Sequence, residues 1–183
     1  MSSRAQYTPS PGSSIPAQQA ITGTAETQIL NQILSTPTVP VPLFVAIPPT
    51  SFLSGKAWSA RISGVIANLG AAATATIRVF VGKSSVIANN TAIGTTGAVA
   101  QAASTAPFTI ALEDCVYDPT SGKLVGTMRA LVNNTIVATA AFSTVVTGIN
   151  NNNDPVLALS LAATLSVANA GNFVSLTEFE IDW

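Results

Sequence analysis

Apolar and polar residues alternate along several stretches of this chain, and the longest such stretch is 156–167. Its odd-numbered positions hold Leu, Ala or Val, whereas its even-numbered positions hold mainly Ala, Ser and Thr. A period of two is typical of a β-strand with one buried face. The segments 58–66, 74–81 and 108–112 follow the same period and are also predicted strands. The side chains predicted to face the core from these three are Trp58, Ala60, Ile62, Ile66, Ile77, Val79, Val81, Phe108, Ile110 and Leu112.

Turn-forming residues separate the predicted strands. The segment Asp-Pro-Thr-Ser-Gly at 118–122 lies between a strand that ends near Tyr117 and one that begins near Lys123. Asn133 and Asn134 lie between 124–132 and 135–142, which predicts a two-residue hairpin with positive φ at both Asn residues. Four Asn residues at 150–153 predict an exposed loop. The Ala-rich segment 98–106 predicts either a short helix or a loop.

About nine strands follow from these signals, and no segment has the period of an amphipathic helix. Short strands separated by turn residues are typical of antiparallel sandwiches and barrels. The sequence therefore predicts an all-β fold, an antiparallel two-sheet sandwich of jelly-roll type, with an extended N-terminal arm.

The arm is predicted from composition. Residues 1–23 are rich in Ser, Pro, Gln, Thr and Gly, and such a segment buries too little apolar area to offset its ordering entropy. Eight of the eleven prolines lie in 1–49, and the cluster Pro37, Pro40, Pro42, Pro48 and Pro49 excludes a helix at 37–49 and favours extended or edge segments. We expect a flexible arm at 1–23 and a jelly-roll β-sandwich domain at 24–183.

Charged residues are scarce, at 8% of the chain, with no His and one Cys among 183 residues. Without His there is no Ser–His or Cys–His pair, and no phosphate-binding loop or zinc-ligand spacing occurs. We expect no enzyme activity, no catalytic residue, no cofactor and no metal. A net charge of −1 gives no basic surface for nucleic acid or membrane. We also expect no transmembrane helix and no Sec-dependent export.

The few chemically capable side chains each allow two interpretations. Glu178, Glu180 and Asp182 alternate along the last strand and would suit a cation site or an acid/base pair, but we favour a solvated face whose acids discourage edge pairing. Glu113 and Asp114 are adjacent, and we expect them on opposite faces. We expect Trp58 and Trp183 to pack in the core or at a subunit interface rather than to stack on sugar rings. We expect Cys115 to be buried as a small apolar side chain.

The order of several short motifs resembles a group of viral proteins. The motifs are Glu26-Thr-Gln-Ile29, Leu53-Ser-Gly-Lys-Ala-Trp58, Ala75-Thr-Ile-Arg-Val-Phe-Val-Gly-Lys83, Ala106-Pro-Phe108, Ser121-Gly-Lys-Leu-Val-Gly126 and the C-terminal segment 168–182. Across roughly 24–183 this order resembles the small β-sandwich proteins of tailed bacteriophages that decorate capsids or form head and tail fibres. The resemblance implies a jelly-roll domain, often of tumour-necrosis-factor-like topology, that commonly assembles as a trimer.

These observations lead to two functional expectations. The first is a virion structural protein on the capsid surface, made in the host cytoplasm: a capsid decoration (cement) protein that binds the major capsid protein as a homotrimer. The arm at 1–23 is then expected to help attach it to the capsid. The small, uncharged even-numbered face of 156–167 is then expected to contact another subunit. The alternative is a receptor- or glycan-binding module of a phage fibre or tail, with a host glycan as its partner.

Overall fold

The computed structural model describes residues 4–7, 18–29, 45–47, 55–82, 84, 86–146 and 157–182. Across these residues the secondary structure consists of strands and one 3₁₀ turn at Ile87–Asn89. The strands are β1 (Arg4–Tyr7), β2 (Gln19–Ala20), β3 (Thr27–Gln28), β4 (Val45–Ile47), β5 (Trp58–Asn68), β6 (Ala73–Gly82), β7 (Thr91–Thr95), β8 (Val99–Gln101), β9 (Ser104–Asp118), β10 (Lys123–Val132), β11 (Thr135–Val145), β12 (Leu157–Leu165) and β13 (Phe173–Asp182). No helix of this described part is long and apolar enough to cross a membrane.

The strands form two antiparallel sheets that pack as a sandwich, as predicted. Sheet A has the order β1-β13-β5-β9-β10-β11, with β2 also paired to β13. Sheet B has the order β3-β12-β6-β7, with β4 also paired to β12 and β8 to β6. The consecutive strands β5 and β6 lie in different sheets, and β12 and β13 cross between the sheets in the opposite direction to pair with them. This double winding is the jelly-roll element of the fold, whereas β9, β10 and β11 form a meander.

The core lies between the sheets and is built from the alternating apolar residues. Trp58, Ile62 and Ile66 of β5 are at most 2% exposed. They face the buried residues of sheet B across the sandwich, and all belong to one hydrophobic cluster. The predicted inward residues are confirmed because strict alternation leaves each strand only one apolar face to bury. The other predicted core residues in this cluster are Ala60, Ile77, Val79, Val81, Phe108, Ile110 and Leu112.

The second face of β12 differs from the expectation. Ser160 and Ala162 are fully buried within the single chain, so the prediction that this face is a free contact surface for another subunit is wrong at these residues. The reason lies in the neighbouring strand, because the larger Phe80 and Arg78 of β6 lie directly opposite these two small residues. The Arg78 guanidinium in turn stacks 4.9 Å from the centroid of the Phe80 ring.

The predicted turns are confirmed where the structure describes them. Asn133 and Asn134 have φ values of 51° and 61°, as a two-residue hairpin between β10 and β11 requires. In the turn from β9 to β10, the Asp118 carboxylate accepts hydrogen bonds from the Thr120 N–H at 2.9 Å and from the Ser121 hydroxyl at 2.6 Å. These hydrogen bonds favour the ionised form and lower the pKa of Asp118.

Two predicted loop regions, 98–106 and 150–153, have different outcomes. The Ala-rich segment 98–106 is neither helix nor loop, because it contains β8 and the start of β9. Pairing of β8 with β6 overrides the helical tendency of Ala. The loop predicted at 150–153 lies outside the described residues.

Parts of the predicted N-terminal arm lie on sheet A. The short strand β1 is paired with β13, and β2 pairs with the same strand near its start. Ile21, just after β2, is 1% exposed and belongs to the core cluster. The boundary at residue 23, and the idea that the segment becomes ordered on a capsid, stay predictions.

A β-bulge in β9 sets the packing at one end of the core. Asp114 has a φ of 52°, and the pairing of β9 shifts on both sides at this point. The shift moves the inward positions from even to odd numbers, so that Cys115 and Tyr117 are buried. Cys115 then lies against Gly126 of β10, where a side chain would have no room.

Replacing Gly126 with Ala is therefore expected to lower the free energy of unfolding by about 1–3 kcal/mol, the usual cost of overpacking a core. The added Cβ would lie 2.8 Å from the Phe142 ring and 2.9 Å from the Cys115 sulfur. The matched control is Gly23→Ala, because the nearest atom to its Cβ is 4.0 Å away. Urea unfolding followed by Trp fluorescence measures both, and equal stability of the two variants would contradict the packing described here.

Candidate interaction surface

The outer face of the β10–β11 hairpin exposes large apolar side chains. Val125 is 38% exposed, Ile136 is 54% exposed and Val145 is 49% exposed. Val125 lies opposite Ser143 and diagonally beside Val145 in the antiparallel register, while Ile136 lies opposite Leu131 near the turn. We call Val125, Leu131, Ile136 and Val145, together with the intervening outward positions of β11, the hairpin face.

The two ends of the hairpin face are apolar, whereas its centre carries small side chains and the exposed Arg129 of β10 opposite Thr139. Leu124, Met128 and Ala130 of β10 point into the core, yet Val125 and Leu131 on the opposite face are also apolar. Strand β11 contains no charged residue at all. An exposed apolar patch on a folded protein is a common mark of a surface that contacts another molecule.

A charged groove adjoins the hairpin face on the same side of sheet A. Its volume is about 480 Å³, and its lining includes Arg61, Glu113, Arg129 and Asp182. Arg61 also forms an ion pair with Glu178, at 3.4 Å from Nε to Oε2, and the Ser63 hydroxyl donates to the same carboxylate oxygen at 3.3 Å. The groove therefore presents both signs of charge and has no net cationic or anionic character.

The predicted acidic row lies on this outer face, but its interpretation changes. Glu178, Glu180 and Asp182 share one face of β13, as expected. That strand is paired on both sides, with β5 and with β1 and β2, and Glu180 is only 6% exposed. The idea of a solvated face that guards a sheet edge is therefore wrong for β13. Within the described ranges, no group of three His, Cys, Asp or Glu side chains is placed to hold a metal ion.

The other side chains considered for chemistry or packing are an acidic pair, two Trp residues and one Cys. Glu113 and Asp114 are both exposed, because the bulge at Asp114 interrupts the alternation that would have put them on opposite faces. Trp58 is 2% exposed, which confirms core packing, and Cys115 is fully buried, as predicted. Trp183 lies outside the described residues.

A second cavity, of about 320 Å³, lies at the end of the sandwich near the hairpin turn. Its rim is polar and uncharged, with Ser104, Thr105, Asn133 and Thr135 among the lining residues, and Gln101 also contributes to the wall. Gln101 is 6% exposed, and neither atom of its amide has a hydrogen-bond partner among the described residues. Buried amides without partners are costly, so this end of the sandwich has unused hydrogen-bonding capacity.

Comparisons with known proteins give structural likeness but no family. No family model matches the chain, and no curated protein sequence matches it. Among solved structures, the chain is similar to Lectin I from Ulex europaeus in complex with the methyl glycoside of alpha-L-fucose, with a TM-score of 0.37 and 7% sequence identity. The likeness covers 99% of this chain and 97% of that chain. A similarity of this degree identifies neither a family nor a ligand for the chain.

The hairpin face was not among the predicted sites. The sequence predicts strands at 124–132 and 135–142, but it does not predict that their outer face exposes apolar side chains. No charge pattern in the sequence marks the face, because the uncharged run at 130–153 is shorter than the uncharged run at 84–112.

The buried thiol of Cys115 gives a direct test of the core at the bulge. Burial, followed by the nearby Asp114 and Glu113 carboxylates, raises its pKa from 9.0 to about 12. Because the folded state keeps the proton more tightly than the unfolded state, the stability that this group contributes is present below pH 9 and is lost as the pH rises toward 12.

We expect the free energy of unfolding of the natural protein to fall between pH 9 and pH 11 relative to a Cys115→Ala variant, by at most about 1.4 kcal/mol per pH unit. The difference between the two proteins isolates the thiol from Tyr and Lys titrations. Thiol labelling at pH 8 should likewise require unfolding. Rapid labelling of the folded protein, or parallel pH profiles, would contradict the buried position.

Proposed function

We propose that this protein is a virion structural protein, a capsid decoration (cement) protein that binds the phage head as a homotrimer. In this role it has no enzymatic activity, and it contacts the major capsid protein on the outside of the particle. The observation that carries the proposal is the hairpin face, an exposed apolar surface on a rigid sandwich. A protein that works by attachment requires such a surface.

The hairpin face suits a flat partner. The outward side chains at the centre of β11 are small, with Thr139, Ala141 and Ser143 all exposed. Small side chains allow close approach over an extended area, and the larger Val125 and Ile136 at the two ends add apolar contacts. We assign this face to the contact with the capsid shell, and the N-terminal arm to a second attachment.

Trimeric assembly would multiply these contacts. Each subunit of a trimer carries one hairpin face and one arm, so binding at one subunit raises the effective concentration of the other two at the shell. A trimer that bridges neighbouring capsid subunits would oppose the outward pressure of packaged DNA. Moderate affinity at each face is then sufficient.

Sedimentation of the purified protein tests the proposal. We expect a mass of three chains or a multiple of three, and we expect the protein to co-sediment with capsid shells from which the decoration protein has been stripped. The double variant Val125→Lys with Ile136→Lys should lose at least tenfold in affinity for the shells, because each change places a charge in an apolar contact.

The matched control adds two lysines at exposed turn positions, Ala72 and Ala170, and should bind like the natural protein. A natural protein that is a stable monomer and does not bind the shells would overturn the proposal.

A receptor- or glycan-binding module of a fibre or tail is the second candidate, and the end cavity favours it. The cavity has uncharged hydroxyl and amide groups on its rim and an apolar floor that includes Val99 and Val132. Hydroxyl-rich ligands bind to such arrangements of hydrogen-bonding and apolar groups. Its size, about 320 Å³, is sufficient for a single sugar ring.

Glycan binding can be measured independently of capsids. If this second candidate is right, a host glycan should bind at millimolar or tighter affinity, and Thr105→Lys should abolish binding by placing a long side chain at the rim of the cavity. Thr120→Lys, in the exposed turn at the opposite end of β9 and β10, serves as the control. Absence of binding across a broad set of host glycans would remove this candidate and leave the first unaffected.

A further inference from the structure

One edge of the sandwich lacks the features that normally keep sheets apart. Within the described residues, no strand pairs with the outer side of β11, which is eleven residues long and contains neither charge nor proline. Exposed edges of this kind offer a row of backbone N–H and C=O groups to another strand. A β-bulge between Ala130 and Leu131 disturbs only its first part, so that Ala138–Val145 pairs with β10 without interruption. This regular part extends about 27 Å.

The other sheet edges differ from β11. The opposite edge of sheet A is made of β1 and β2, which are four and two residues long. Sheet B ends in β3 and β4 on one side and in β7 and β8 on the other, and none of these extends over more than five of the described residues. Short, broken edge strands are a standard protection against edge-to-edge association. Among the edges that the structure describes, only β11 combines length with regularity.

The core is also incompletely closed along this edge. Ala138, Ala140, Phe142 and Thr144 lie opposite the core-facing positions of β10. Ala140 is nevertheless exposed and Phe142 only partly buried, because the five-residue β7 of sheet B is too short to cover this side of β11. A strand added beside β11 would therefore pair its backbone and extend the cover over these side chains.

We propose that β11 pairs edge to edge, antiparallel, with β11 of a second copy of this chain. The strand is uncharged, so antiparallel self-pairing brings no like charges together. The nearest like charges are the Arg129 side chains on β10, one strand further in. Their strands would be three strand spacings apart, about 14 Å, which exceeds the Debye length of about 8 Å at physiological ionic strength. A twofold contact of a strand with itself also closes the edge in both copies.

This inference goes beyond the proposed function, because a twofold contact cannot by itself close a trimer. If the chain is otherwise a monomer, β11 pairing gives a dimer. If it is a trimer, β11 pairing joins trimers to one another. In either case β11 pairing at least doubles the mass of the particle in solution. A protein that is not a trimer or does not bind capsids would still test edge pairing, and a protein without edge pairing could still be a capsid-binding trimer.

A cysteine scan along the outward face of β11 tests the pairing directly. Thr139, Ala141 and Ser143 are exposed and share the outer face, so each can be replaced singly by Cys with little effect on folding. The natural Cys115 is fully buried and does not compete. In an antiparallel twofold pair, residues meet their own copies only near the axis, whereas a parallel pair would bring all three positions close to their copies.

We expect intermolecular disulfide formation in the full-length protein to peak at one of the three positions and to fall by at least tenfold at the most distant one. Ala72→Cys, an exposed turn position, is the matched control for random collision. Equal cross-linking at all three positions, or cross-linking no faster than the control, would overturn the proposal.

A charge variant provides an independent readout that does not depend on oxidation. Thr139→Lys with Ala141→Lys places four like charges across the pair and should at least halve the mass measured by sedimentation equilibrium. The Ala72→Lys with Ala170→Lys control should keep the mass of the natural protein. Equal masses for all three proteins would contradict edge pairing, and unchanged circular dichroism would show that the edge variant is folded.

Discussion

Burial of two alternating apolar faces between the sheets is the interaction on which the rest of this structure depends. The central pairs, β5 with β13 and β6 with β12, carry most of these side chains, among them Phe179, Ile62 and Leu161, all fully buried. Since the first pair lies in sheet A and the second in sheet B, each buries its apolar face only against the other sheet. The β9–β11 meander then extends sheet A beyond the cover that sheet B provides. The exposure of Ala140 and the partial exposure of Phe142, on the inner side of β11, are consequences of this unequal width.

Much of the fold could be predicted from sequence because most strands have one buried and one exposed face. Where that condition holds, as in β5 around Ile62 and in β9 around Ile110, alternation identifies both the strand and its inward side. It fails in β12, where the even-numbered Ser160 and Ala162 are buried as well. Small side chains look like a flat contact surface in sequence, but large neighbours such as Phe80 can cover them within the same chain.

The candidate surface was harder to predict for a related reason. A bulge such as the one at Asp114 shifts the inward positions by one residue, and nothing in the local sequence requires it. Whether a strand such as β11 lies at an edge depends on the order of strands in the sheet, which is a property of the whole chain. The scarcity of charge was visible from the start, but only the sheet order shows that its consequence is concentrated at the hairpin and its edge.

The central claim is that this chain acts through the outer surface of sheet A, as a component attached to a capsid. Electron cryomicroscopy of stripped phage shells incubated with the purified protein tests it most directly. The account predicts added threefold density on the outside of the shell, with the hairpin face turned toward the major capsid protein. Shells that show no added density at saturating protein would contradict it.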